Sequence, residues 1–225
     1  MSFTARTLAI LHKDILTEWR TKERLSAMVF FVLLVLLVFN FSFELGGFAL
    51  HEIGPGVLWS SYVFASLLGL NRTFAAEQAN NCLDALLLAP GDRGAVYLGK
   101  MLGNMLFLLV IELLSLPFFA LFFNLPVGDY LLPLLGVLFL GAASLSSVGT
   151  LFAIMSGNTH LRELLLPLLV LPMVMPALIS CVEATAEILK QSRGEMLYPH
   201  LQILGVYVVV FTTLSLLLFE YVVEE

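Results

Sequence analysis

Apolar residues in this chain fall in long blocks, without the alternation of apolar and polar positions that a β-barrel would show. Six blocks are read as membrane-crossing helices, at residues 27–43, 56–70, 101–123, 131–155, 164–182 and 203–223, since about 20 apolar residues span the hydrocarbon of a bilayer. The second is the weakest. At 1.5 Å per residue its roughly 15 residues reach only about 23 Å, so it must borrow neighbours, thin the bilayer or lie shielded inside a bundle. Two stretches between the blocks have a different pattern. Residues 5–25 place Leu8, Leu11, Ile15 and Trp19 on one face, with Lys13, Arg20, Lys22 and Arg24 largely elsewhere, which predicts an interfacial helix leading into the first span. In residues 71–90, Leu83, Leu86 and Leu87 recur at helical spacing, Pro90 stops the run and Asn80-Asn81 interrupts it. Asn tolerates left-handed backbone, so two short helical pieces joined at a bend are predicted. Such a piece is either a lever resting on a soluble partner or a linker lying on lipid headgroups.

Composition agrees with the blocks: 60% of residues are hydrophobic and 12% charged, about half the charge of a soluble domain. The predicted fold is therefore an all-α integral membrane protein, one transmembrane domain over residues 1–225 with six spans and an N-terminal interfacial helix. Basic residues set its orientation. Nine of the eleven fall before the first span or in alternate loops, including Arg72, Arg93, Lys100 and Arg162; only Lys190 and Arg193 fall in the other set. Both termini and residues 71–90 are thus expected in the cytoplasm. The net charge of −6 adds little, because acidic residues scarcely affect topology. The first span lacks a small-residue cleavage pattern and is read as retained. Cys82 and Cys181 are expected on opposite sides of the membrane, too far apart to pair.

Within the spans, Glu112 stands near mid-membrane, where an ionisable group is either functional or a single protonated residue facing a neighbouring helix. Gly141, Ala142, Ala143, Ser144, Ser146, Ser147 and Gly149 form a small-residue stretch suited to close helix packing, and this face is read as a candidate for pairing with a second copy. Pro167, Pro172 and Pro176 should kink or break the fifth span, which places it inside the assembly, because broken backbone in a membrane must be covered. Pro55 suits a helix start after a loop at residues 44–55, and Trp59 suits an interfacial belt. Residues 182–202 form either a short external helix around Glu183, Glu187, Ile188 and Lys190 or a loop.

Gly94-x-x-x-x-Gly99-Lys100 is most of a P-loop, but Met101 stands where Ser or Thr must meet magnesium and no strand precedes it. Nucleotide binding is excluded there, and Lys100 is read as an interfacial anchor. His12 and His160 on the inner side, and His51 and His200 on the outer, form no pair with metal-ligand spacing. No nucleophile elbow, His-Glu-x-x-His or Cys-x-x-Cys is present, so the chain is not read as an enzyme. His51 and His200 could serve as haem ligands or be ordinary loop histidines.

Taken together, the chain resembles the CcmB family, the membrane subunit of a haem-exporter-type ABC complex in cytochrome c maturation. The matching pieces are Lys13-Asp14-Ile15-x-x-Glu18-x-Arg20, residues 54–59 from Gly54 to Trp59, Arg72-x-Phe74-x-x-Glu77, Leu83-x-x-Leu86-Leu87-Leu88-x-Pro90, and residues 164–172 with Pro176. Asn81 and Cys82 depart from the Gly and small residue usual between the Glu and first Leu. The resemblance implies an ABC-2-type permease in the bacterial inner membrane. ATP and magnesium would bind in a separate CcmA-like ATPase, with CcmC- and CcmD-like haem-handling subunits and a CcmE-like haem chaperone as further partners, and no nucleic acid. Residues 72–90 would be the coupling segment, with Arg72, Phe74, Glu77, Asn81, Leu83, Leu86, Leu87 and Pro90 as its contacts, and His51, Trp59 and His200 candidate haem contacts. Export of haem and release of the haem-loaded chaperone suit the sequence equally. A non-transporting scaffold would keep its activity when ATP hydrolysis is blocked, and a lipid or polysaccharide exporter would leave cytochromes c normal when deleted.

Overall fold

Each apolar block becomes one helix, because in hydrocarbon a helix satisfies its backbone N–H and C=O groups within its own segment. The computed structural model of the chain describes residues 2–45, 50–79, 92–124, 130–156, 161–190 and 197–222. These hold α1 (Phe3–Thr21), α2 (Glu23–Leu45), α3 (Leu50–Ala79), α4 (Gly94–Phe123), α5 (Leu131–Met155), α6 (Arg162–Leu189) and α7 (Leu197–Val222), and no strand. Helices α2 to α7 each contain a stretch long and apolar enough to cross a membrane, so the chain is a multi-pass, all-α membrane protein.

Side-chain contacts fix an up-and-down course. Arg72, late in α3, donates to the carbonyl of Glu23 at the start of α2 at 3.3 Å, while Asn40 near the end of α2 donates to the Phe122 carbonyl near the end of α4. Tyr97 at the start of α4 donates to the Ser147 carbonyl late in α5 at 2.8 Å and packs on Phe219 near the end of α7. Trp59, early in α3, meets Thr185 late in α6. One end of the bundle therefore carries α1 and the ends of α3, α5 and α7; the opposite end carries the ends of α2, α4 and α6.

The short second block is resolved by burial. Helix α3 runs well past both of its predicted limits, and 72% of an 18-residue apolar run within its Glu52–Arg72 stretch is buried, against 17% of such a run within Leu197–Phe219 in α7. A shielded position explains how so modest an apolar run remains in the bundle. Pro55 lies inside the helix, not at its start, and α2 reaches Leu45, so the predicted 44–55 loop is largely helical.

The small residues of α5 are used internally. Residues 141–150 are buried without exception; a Cβ on Gly141 would overlap the Trp59 ring, and one on Gly149 would come within 2.5 Å of Leu70. This face packs against α3 and is not open to a second copy, which removes the basis on which pairing was read from it. Helix α6 keeps its helical course through Pro167, Pro172 and Pro176. Of the predicted kink or break, the break does not occur; Pro172 and Pro176 are exposed, so α6 has one side on the surface of the bundle. The amphipathic piece around Glu183 continues α6 as far as Leu189 and is not a separate external helix.

Candidate functional site

The end of the bundle that carries α1 is built by the residues of the 13–24 segment. Helix α1 begins with the Ser2 hydroxyl accepting from the Ala5 N–H at 3.4 Å and ends at Lys22, a left-handed residue with φ 55° whose N–H returns to the Glu18 carbonyl at 2.7 Å. That reversal starts α2 at once. The Glu18 carboxylate accepts from the Leu25 N–H at 2.8 Å, satisfying one of the orphan donors at the start of α2. Arg72 ties α3 to the same corner through the Glu23 carbonyl, and the Arg24 guanidinium lies 4.4 Å from the Phe107 ring centre on α4, a cation–π distance.

Helix α1 is also fastened to α4. The ammonium of Lys100, with only 1% of its side chain exposed, donates to both carboxylate oxygens of Asp14 at 3.0 and 2.9 Å. Lys13 stands 3.3 Å from the same carboxylate on its wetter side. The approach is possible because Ala95, Gly99 and Gly103 recur every four residues along α4 and leave a groove: a Cβ on Gly99 would lie 2.9 Å from the Ile10 Cβ, and one on Gly103 3.6 Å from an Asp14 oxygen. Lys100 is thus an internal ion-pair partner, correcting its reading as an interfacial anchor. The P-loop resemblance is likewise disposed of, since Gly94 already begins a helix. Of the predicted face of α1, Leu11 and Ile15 are half-buried, whereas Leu8 and Trp19 are exposed; α1 turns Thr7 and Ile10 to the bundle and Leu8 and Trp19 away from it.

The predicted coupling residues divide. Arg72 is exposed at the end of the apolar stretch of α3; Phe74 and Glu77 belong to the helical extension that continues to Ala79. Asn81, Leu83, Leu86, Leu87 and Pro90, with Cys82 and the predicted bend at Asn80-Asn81, lie outside the described residues, as does His160. The first half of the segment is therefore continuous with a buried span, a feature that periodicity within 71–90 did not reveal.

A second polar site lies inside the bundle. Glu112 is fully buried, and neither carboxyl oxygen has a hydrogen-bond partner among the described residues. Beside it the Tyr62 hydroxyl is 2.9 Å from the Ser115 hydroxyl and donates weakly to the Glu112 carbonyl at 3.4 Å. Trp59 is 1% exposed. It packs edge-on against Tyr62 and donates to the Thr185 hydroxyl at 2.9 Å. It is a core residue that joins α3 to α6, not part of an interfacial belt. Cys181 is a free, buried thiol on α6.

The histidines proposed for haem stand on two different helices. His51 belongs to the first turn of α3; His200 is half-buried, with Nδ1 3.4 Å from the Glu183 carboxylate, linking α7 to α6. A recess among Arg24, Ser66, Leu70, Asn104, Leu108 and Ser146 has about 230 Å³ of unfilled space, its open mouth included. Among the described residues no three His, Cys, Asp or Glu side chains converge as metal ligands would.

The family model described as CcmB protein matches residues 5–223. Proteins named heme exporter protein B are among its relatives: that of Rhodobacter capsulatus is 33% identical over 171 residues, 76% of this chain and 78% of the relative. That of Paracoccus denitrificans is 35% identical over 178 residues, covering 78% and 80%, and that of Pseudomonas aeruginosa 31% identical over 160 residues, covering 71% of each chain.

Proposed function

The chain belongs to the CcmB family, and from that premise we propose that it is the membrane subunit of a haem-exporter-type ABC complex. It would transmit the ATP cycle of a separate, CcmA-like cytoplasmic ATPase to its six spans in the service of cytochrome c maturation. The observation that carries the mechanical part is α3: the most buried span continues without interruption past Arg72 to Ala79. A partner gripping this extension acts directly on the centre of the bundle. The helical extension and the segment that follows it, residues 71–90, form the coupling element, with Arg72 and Glu77 as polar contacts and Leu83, Leu86 and Leu87 as apolar anchors.

In this reading the end carrying α1 faces the cytoplasm of a bacterial inner membrane, as the excess of Lys and Arg there supports. The exposed Leu8 and Trp19 of α1 then lie at the headgroup level, where amphipathic side chains are favoured. CcmC- and CcmD-like subunits and a CcmE-like chaperone would act beside it. The ATPase biases the bundle only to the extent that it binds one arrangement more tightly than another.

The test is co-purification of the ATPase with the intact chain and with a Glu77→Ala, Leu83→Ala, Leu86→Ala variant, scored with cellular cytochrome c. Loss of both supports the reading. Recruitment that survives the triple substitution removes residues 71–90 from it, and recruitment lost with cytochromes c intact assigns the chain to a different exporter.

A further inference from the structure

The mechanism above leaves Glu112 without a task, yet its surroundings are unusual for an acid. Both oxygens are sealed from solvent and without hydrogen-bond partners among the described residues. The neighbouring hydroxyls of Tyr62 and Ser115 are turned to each other and to the backbone carbonyl of Glu112. Its titratable neighbours include Tyr62 on α3 and Cys181 on α6, and neither is a cation. Helix α5 has no titratable residue, α2 carries them only at its two ends, and the Tyr207 hydroxyl of α7 is spent on the Met173 carbonyl. The nearest basic residue on α4 itself is Lys100, about 18 Å of helix away and paired with Asp14. An ionised carboxylate here would lose its hydration with nothing to replace it. The neutral acid is the form this arrangement accepts.

Its depth is equally informative. At 1.5 Å per residue, about 16 Å of helix separates Glu112 from Phe123 and about 27 Å from Gly94, so it lies nearer the outer end in the orientation proposed above. Between it and that end run α3 and α6, held together by the Trp59–Thr185 bond and by close packing at Gly141, where an added Cβ would meet both the Trp59 ring and Cys181 Sγ. One side-chain hydrogen bond crosses this seam, and Gly141 of α5 lies against both of its sides.

We infer that Glu112 is a proton-binding site, protonated in the arrangement seen here and discharged to the outer side when the α3–α6 seam parts in the transport cycle. This rests on the coupling role of α3, which carries one side of the seam. In the parted state water reaches the carboxyl, the O–H bond breaks, the proton passes to that water and a hydrated carboxylate remains; closure requires the acid to take up a proton again. An acid suits this position because it can be neutral when sealed and charged when open, whereas an amide is neutral in both.

The test uses the full chain co-expressed with its ATPase. Glu112→Gln keeps shape and neutrality, so membrane insertion and ATPase co-purification are expected unchanged, while cytochrome c content falls at least tenfold; Glu112→Asp, which retains the acid, is expected to keep most of it. A Gln variant with wild-type cytochrome c overturns the proposal. Infrared spectroscopy of the chain in lipid vesicles gives an independent reading: a deuterium-sensitive carboxylic acid carbonyl band present in the wild type and absent from Glu112→Gln, which disappears when the ATPase is trapped with nucleotide. Absence of the band at rest, or its persistence in the trapped complex, overturns the proposal. The resting band is measured without the partner, so its absence tells against Glu112 whatever the ATPase does. Failure of the wild-type chain to recruit the ATPase tells against the coupling role.

Discussion

Removing one member of the Asp14–Lys100 pair separates a structural clamp from an incidental contact. Asp14→Ala takes away both oxygens that hold an ammonium buried to 99%, with only 1% of the Lys100 side chain exposed. Removing one partner of a buried ion pair costs about 3–5 kcal/mol, roughly two to four decades in the folded-to-unfolded ratio. Lys100→Met should cost less, about 1–2 kcal/mol, because Asp14 is 11% exposed and retains Lys13 at 3.3 Å; a lost charge-assisted bond, partly compensated, is in that range. The double variant removes both charges and should cost about 2.5 kcal/mol, so that mid-range single costs of about 4 and 1.5 kcal/mol give a coupling energy of about 3 kcal/mol, the upper end of the span seen for neighbouring residues. The assay is titration of the purified protein from mild into denaturing detergent, with helix content by circular dichroism, on all four members of the cycle. Limited proteolysis after Lys22 would report release of α1 separately. An Asp14→Ala cost below about 1 kcal/mol, or single costs that simply add in the double variant, would refute the assignment of Asp14–Lys100 as the fastening of α1 to α4.

Gly141→Ala should overpack the Trp59 ring and destabilise the chain by about 1–3 kcal/mol, whereas Gly136→Ala, with open space around it, should not; equal effects in the detergent titration would contradict the packing of α5 on α3. The two tryptophans give an optical check: Trp19, 75% exposed, should be quenched by interfacial brominated lipid, and Trp59, 1% exposed, should not, so single-Trp variants that respond alike would contradict their placement. Arg72→Ala loses one exposed bond to a carbonyl and should change stability by less than about 1 kcal/mol. A loss of ATPase co-purification in that variant then reports docking, and a large loss of stability would instead make Arg72 a structural residue.

The sequence was most legible where a single rule governs the outcome. Block length and apolarity gave six helices and their order, because hydrocarbon permits little else. Relations between blocks were less legible. Proline counts predicted a kink or a break in α6, yet the helix runs on through all three. Asp14 and Lys100 lie 86 positions apart, beyond any periodicity; the trace they left was local, in the small residues Ala95, Gly99 and Gly103. For Glu112 the sequence offered position along a span, while its isolation depends on the directions in which Tyr62 and Ser115 turn, which only packing decides.

Helix α3 has a consequence for how force travels. About 45 Å long, it is gripped along its length by close contacts, Gly69 against Met28, Leu70 against Gly149 and Trp59 against Gly141. A rod held in this way bends little, so a tilt of about 5° imposed at Ala79 becomes a displacement of about 4 Å at Leu50 if it pivots at one end. Pivoting nearer its middle, it moves its two ends in opposite senses. The extension assigned above to the proposed partner and the Trp59 indole would then be opposite arms of one balance beam, with motions of opposite sign.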